Sequence, residues 1–217
     1  MKKVLVVAPH PDDEILGCGG VIAKHIAAGD EVCVCIVTCS LVEKAKKLNE
    51  AYARKVQEAM GIQKLVFLNM PTVELPHVPT REFTGKLNQL VQDERPEVVY
   101  IPFQGDMHTD HYMVSSGMMV ALRPPIAPFV KDIFAYETLS ETGWSFPSPE
   151  KSFIPNVWSD ISDFLEDKVR AMELYDTKIQ KDPLPRSAEG IRALAKFRGG
   201  TIGVDYAEAF MCVRSIM

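Results

Sequence analysis

Short runs of β-branched and other apolar residues alternate, through the first half of the chain, with longer segments whose apolar positions recur at helical spacing. Strands are expected at residues 4–8, 31–39, 64–68 and 96–103, and helices between them at 15–28, 41–60 and 80–93. Gly29 and Gly61 stand where the first two helices should stop. Strict rotation of strand and helix implies right-handed parallel crossovers, hence an α/β, Rossmann-like layered fold with a mainly parallel sheet. Its crevice is expected beside the first and fourth strands, at their carboxyl ends.

The second half is less regular. A helix over 113–122 ends at Pro124-Pro125, and residues 132–136 read as a fifth strand. Residues 145–155, rich in Pro, Ser and aromatics, read as an ordered loop over the crevice. Amphipathic helices are expected at 161–175 and 187–197, and Gly199-Gly200 opens a final stretch with no assigned element. No internal repeat, heptad run or low-complexity tract breaks the pattern.

With 47% hydrophobic residues in 217, the chain can bury a substantial core, and one domain over 1–217 is expected. A net charge of -5, with Lys and Arg scattered among acids, provides no basic footprint for nucleic acid. The five cysteines are an odd number, with Cys33, Cys35 and Cys39 gathered on one strand. They read as reduced, small apolar residues of a cytoplasmic protein rather than a disulfide framework. The apolar run after Met1-Lys2-Lys3 is too short for a signal peptide or a membrane span, so export and an integral membrane segment are not expected.

Chemistry-bearing residues gather after two of the strands. His10-Pro11-Asp12-Asp13-Glu14 follows the first, and His108-Thr109-Asp110-His111 follows the fourth. Pro followed by acids is also an ordinary helix start. His10 shifts the balance, because a histidine beside carboxylates can ligate metal while a neighbouring carboxylate orients its other nitrogen. His108 and His111 are three apart, so at a helix start both imidazoles project toward one side. Asp106 and Asp110 are candidates to fix their tautomers, and Glu14 is assigned a structural role. Three nitrogen or oxygen ligands beside one free carboxylate are what zinc-assisted hydrolysis requires. His25 and His77 lack such a context and read as plain helix and loop residues.

Gly17-Cys18-Gly19-Gly20 fails the dinucleotide spacing, and an acidic cluster occupies the place where pyrophosphate needs bare N–H groups. These glycines instead permit close packing of the first helix. The segment from Tyr136 through Glu137, Thr138 and Ser140 to Trp144 carries hydroxyls, carboxylates and an aromatic ring that suit either a sugar site or a solvated loop.

Ala8-Pro9-His10-Pro11-Asp12-Asp13-Glu14 and His108-Thr109-Asp110-His111 resemble the signature segments of the PIG-L, or LmbE-like, family of zinc-dependent sugar N-deacetylases. The glycine turn at 17–20 and Tyr206-Ala207-Glu208-Ala209-Phe210 extend the likeness along nearly the whole chain. The resemblance implies His10, Asp13 and His111 as zinc ligands, Asp12 as general base, and His108 as the group that assists the tetrahedral intermediate. Asp110 or Asp106 would hold His108. Arg198, Tyr206 and Glu208 correspond to a family segment near the site, whereas Thr38-Cys39-Ser40 departs from the family's usual turn after the second strand.

The reading that follows is a Zn2+-dependent hydrolase, the metal replaceable by another divalent ion, that frees acetate from an N-acetylated amino sugar. Its expected partners are that small-molecule substrate and, in a homo-oligomer, further copies of the chain. Two rivals remain: a metal-dependent hydrolase of another bond, such as a phosphoester, and a metal- or sugar-binding module without turnover. The first lacks a second metal cluster and a basic pocket. The second has no need for Asp12.

Overall fold

A computed structural model describes residues 1–217. The first five strands are β1 (Lys3–Ala8), β2 (Glu31–Cys39), β3 (Lys64–Pro71), β4 (Val98–Pro102) and β5 (Asp132–Tyr136). Four helices alternate with them: α1 (Asp13–Ala27), α2 (Glu43–Met60), α3 (Thr80–Glu94) and α4 (Thr109–Ala121). Apolar runs without polar alternation suit strands covered on both faces. Along β1, Val4, Val6 and Ala8 enter one apolar cluster while Leu5 and Val7 enter the other.

The seven-stranded sheet has the order β3-β2-β1-β4-β5-β7-β6. From β1 the chain steps outward to β2 and β3, then returns to lay β4 on the other side of β1. Parallel pairing of Val4 with Val98 and of Val6 with Tyr100 brings the carboxyl ends of β1 and β4 out side by side. The two motif-bearing loops thus meet at the topological switch point, the expected position of the crevice.

Two strands depart from the sequence expectation. Residues 157–160 form β6 (Val157–Asp160) and the unassigned C-terminal stretch forms β7 (Ala207–Arg214), inserted antiparallel between β5 and β6. The helix expected from 161 shortens to α5 (Leu165–Glu173), because the Asp160 carboxylate accepts from the N–H and hydroxyl of Ser162 and holds a turn first. The last helix, α6 (Ala188–Gly200), extends through Gly199-Gly200. β7 escaped a pattern reading because Glu208 interrupts its apolar run.

Glu208 is buried all the same. Its carboxylate accepts from the backbone N–H groups of Gly20 and Val21 in α1, both at 2.8 Å, and pairs at 2.6 Å with the buried ammonium of Lys168 in α5. Lys168 also donates to Leu16 O at 2.8 Å. One carboxylate thereby ties the C-terminal strand to two helices. The glycines of α1 make this approach possible: a Cβ at Gly17 would overlap the Tyr136 ring, and one at Gly20 would lie 2.7 Å from Ile161. Tyr136 itself belongs to the core, its hydroxyl donating to Val7 O.

Removing one partner of a buried ion pair strands the other charge. Lys168→Met should therefore destabilise the protein by about 3–5 kcal/mol, read as a lower midpoint in chemical denaturation. An unchanged midpoint would show that Glu208 does not depend on Lys168.

Candidate active site

After β1 the chain turns sharply through Pro9, His10 and Pro11 into α1. The backbone N–H and hydroxyl of Thr38, on β2, both donate to Pro9 O, at 3.0 and 2.8 Å, and hold the turn against the sheet. Asp12 takes φ 122°, a conformation that side-chain-bearing residues rarely adopt. Strain of this kind persists where surrounding contacts over-determine it, and it gathers at functional sites. Asp12, Asp13 and Glu14 all sit buried at the head of α1.

Each of these three carboxylates has different company. Glu14 accepts from the Tyr175 hydroxyl at 2.5 Å and from the Asp12 N–H at 3.1 Å, a structural role in agreement with the sequence expectation. Asp13 Oδ2 accepts from the His10 N–H at 2.9 Å and lies 3.2 Å from both His10 Nδ1 and His111 Nε2. Asp12 Oδ2 accepts from Arg186 Nη1 at 3.2 Å.

His10, Asp13 and His111 each offer a ligand atom within 4.8 Å of the others. His111 is fully buried, and its Nε2 has no hydrogen-bond partner although Asp13 Oδ2 is only 3.2 Å away. Two electron-pair donors close together without hydrogen-bond alignment are what a shared cation requires. The far nitrogens are held by carboxylates, His10 Nε2 by Asp110 Oδ2 at 3.0 Å and His111 Nδ1 by Asp106 Oδ2 at 2.8 Å. This matches the outer support usual for metal-binding histidines. Two nitrogens and one carboxylate oxygen therefore fit a divalent ion with an open position. His10, His108 and Asp110 also lie close enough to hold one. In that set, however, Asp110 Oδ2 already serves His10 and the Val73 N–H, while His108 Nδ1 accepts from the Asp110 N–H.

The charges agree with this arrangement. Burial opposes ionisation of Asp13, but the His111 charge and the His10 hydrogen bond outweigh it and hold the carboxyl well below the usual range. Burial likewise opposes protonation of His10, yet hydrogen bonds to Asp110 and Asp13 push it up to about 9. The pocket draws positive charge. Asp12 moves the other way: burial and the neighbouring Asp13 charge push it up to about 6, against the pull of Lys178 and Arg186.

His108 departs from the sequence expectation in its support. Asp110 does not hold it through its carboxylate, which lies 3.9 Å from His108 Nδ1 and is turned to His10 instead; Asp106 is turned to His111. His108 instead caps α4, its Nδ1 accepting from the Asp110 N–H at 3.1 Å, so the helix starts at Thr109 and the second motif stands at its head. That bond leaves the proton of the neutral ring on Nε2. Burial and the His10 charge both lower the His108 pKa, so the neutral donor form is favoured.

A cavity of 420 Å³ adjoins these groups, with Val73, His108, Ser140, Glu141, Trp144 and Arg186 in its lining. Val73 and Ser140 have φ of 69° and 67°, so strained backbone recurs around its rim. Trp144 is half exposed there. Sequence reasoning missed Val73 and Arg186. Arg186 stands in a Pro-rich loop, and its one local signal is Ser187, which caps α6 by accepting from the Gly190 N–H and so fixes the residue before it. Of the C-terminal candidates, Glu208 bonds α1, Tyr206 packs beneath Lys196, and Arg198 pairs with Glu137 at 2.8 and 2.7 Å. His25 is satisfied by Asp30 and the Tyr100 hydroxyl, and His77 is exposed. The five cysteines are unpaired, and no helix is long and apolar enough to cross a membrane.

Comparison with known proteins places these residues in context. The family described as PIG-L, GlcNAc-PI de-N-acetylase, matches residues 5–122, more than half of the chain and both motifs. Diacetylchitobiose deacetylase of Thermococcus kodakarensis is 28% identical over 100% of this chain and 85% of its own length. The 1D-myo-inositol 2-acetamido-2-deoxy-alpha-D-glucopyranoside deacetylase of a Mycobacterium species is 27% identical, over 84% of this chain and 76% of its own. Among solved structures, a conserved protein from Thermus thermophilus superposes with a TM-score of 0.77 at 29% identity, covering 100% of this chain and 97% of that one.

Carboxylates behind metal-binding histidines contribute to affinity. Asp106→Asn and Asp110→Asn should each weaken binding of a divalent ion roughly 10–100-fold, measured by competition with a chelator of known affinity. Unchanged affinity in both would remove these two residues from the site's support.

Proposed function

The chain belongs to the PIG-L family, and from that premise we propose that it is a Zn2+-dependent hydrolase of N-acetylated amino sugars, releasing acetate and the free amine. One observation carries the mechanism: Asp12, a buried carboxylate outside the triad, stands beside Asp13 in a strained backbone and bonds a residue of the adjoining cavity. A site that only held metal or sugar would not need it.

His10, Asp13 and His111 would hold the ion. When bound, such an ion polarises an acyl carbonyl and makes a water acidic near neutral pH. Asp12 is the group placed to take the water's proton and to return it to the departing amine. A carboxyl pushed up to about 6 suits that work, because it can both accept a proton and release it near neutral pH. Arg186 keeps the Asp12 carboxylate aimed by a charge-assisted hydrogen bond. His108 donates from Nε2 to the oxygen on which negative charge develops. Asp110 and Asp106 act one step back, orienting His10 and His111. In the balance, one water is consumed and the C–N bond breaks.

The acetamido sugar occupies the cavity beside His108, where Trp144 presents an aromatic face and Ser140 and Glu141 present polar groups. The relatives' names support a 2-acetamido sugar as the reacting unit. A phosphoester is disfavoured, because Arg186 is the one cationic side chain in this lining and it is engaged by Asp12.

Zinc-loaded protein incubated with N-acetylglucosaminides should release acetate, and equal turnover of acetylated lysine peptides would defeat the sugar assignment. The adjacent aspartates separate the two roles. Asp13→Ala should lower zinc affinity, with activity partly restored by excess metal. Asp12→Asn should retain zinc while turnover falls by roughly two to four orders of magnitude. Near wild-type turnover in Asp12→Asn would require another base.

A further inference from the structure

Glu141 lines the cavity beside His108 and is the one acidic side chain in that lining. Its backbone is pinned to the loop that carries the second motif. The Met107 N–H donates to Glu141 O at 3.3 Å, and the next residue, Thr142, donates its hydroxyl to Asp106 Oδ1 at 2.6 Å. On the other side Ser140 is buried with φ 67°, and the Glu141 N–H donates to Thr138 O at 3.1 Å. Glu141 is thus set against the residues just before His108.

Its carboxylate is bound to nothing. Asp12, Asp13, Asp106 and Asp110 each have a partner within the chain. Glu141 is half-buried, yet its side chain makes no hydrogen bond or ion pair. Burial pushes its pKa up, the His111 charge draws it back, and Asp13 and Asp106 add to the rise. The charges that act on it are therefore those of the triad and its support. A carboxylate withdrawn from water without a partner is costly to keep, so its partner comes with whatever enters the cavity. Arg186, the one cationic side chain in the lining, is engaged by Asp12.

Hydrolysis of an acetamide changes the charge of the reacting nitrogen. A neutral amide and one water become acetate and an ammonium: the water's oxygen goes to the acyl carbon, the C–N bond breaks, and both protons of the water end on nitrogen. The amide offers a single N–H to an acceptor. The product offers a full positive charge.

Resting on the N-deacetylase reading, we propose that Glu141 recognises the reacting nitrogen, accepting from the amide N–H of the substrate and pairing with the ammonium that hydrolysis leaves in its place. Glu141 is then a specificity-determining group that tells product from substrate by charge. It takes no proton from the water, which remains the work of Asp12, and it holds no metal. The enzyme is consequently inhibited by its own amine product.

The test uses two probes, glucosamine and N-acetylglucosamine, at a pH where the free amine is protonated. Zinc-loaded Asp12→Asn protein binds them without turnover, and calorimetry compares it with and without Glu141→Gln. Glutamine keeps an acceptor oxygen for the amide N–H but carries no charge. Glu141→Gln should weaken glucosamine at least about tenfold, as expected for loss of a charge-assisted hydrogen bond, and N-acetylglucosamine by less than about threefold. Zinc affinity should not change. With Asp12 intact, the same substitution should raise the inhibition constant of glucosamine by the same factor. Undiminished glucosamine binding would show that zinc or another group holds the amine. Equal losses for both probes would show that the carboxylate shapes the pocket without reading charge, and a fall in zinc affinity would make it a ligand. Each of these overturns the proposal, and acetate release in the wild type would leave N-deacetylation standing. If the wild type frees acetate from no sugar yet glucosamine binding still falls in Glu141→Gln, the ammonium site stands and the deacetylase reading falls.

Discussion

Three consecutive carboxylates buried at the start of one helix form the constraint around which this molecule is organised. Each is costly to bury without a partner, and each recruits at least one partner from a distant part of the chain. Asp12 draws Arg186, Asp13 draws His111 and His10, and Glu14 draws Tyr175. Satisfying these groups brings the head of α4, the end of α5 and the loop before α6 to the carboxyl end of β1. The helix dipole favours anions at this end, but the dipole alone cannot answer three of them in a dry environment.

The same requirement explains how chemically identical side chains acquire different properties. Asp12 and Asp13 are neighbours, yet one is raised toward neutrality and the other held strongly anionic. The difference lies in what faces them. Asp13 is surrounded by two imidazoles, whereas Asp12 meets one guanidinium and the repulsion of Asp13. Divergent pKa values within a pair are how a site separates a group that holds charge from one that moves a proton. Strain at Asp12 is the backbone counterpart of this division.

Support extends outward from the centre by the same logic. Asp106 has two oxygens and uses both, one for His111 and one for Thr142, so the residue that orients His111 also positions the segment after β5. Val73, Ser140 and Asp12 are the non-glycine residues with positive φ that stand around the cleft. Helix-head carboxylates hold two of them, the Val73 N–H donating to Asp110 Oδ2 and the Asp12 N–H to Glu14 Oε2. Glu208 and Lys168 bind β7 to the helical layer without a hydrogen bond to Asp12, Asp13, His10 or His111.

The chain's periodicity by itself determined the alternation of strands and helices through β5, because β-branched runs and helical spacing are local properties. It also determined which two loops gather the metal-ligating residue types, since residue type and position after a strand can be read without coordinates. Partners were beyond its reach. Whether Asp110 supports His108 or His10 depends on side-chain directions at the start of α4. β7 was hidden because Glu208 looks like a surface residue until Lys168 is brought to it, and Arg186 carried no local mark of its bond to Asp12, 174 residues away. Those assignments follow from which groups share a buried volume, and only the packing of the sheet and its helices decides that.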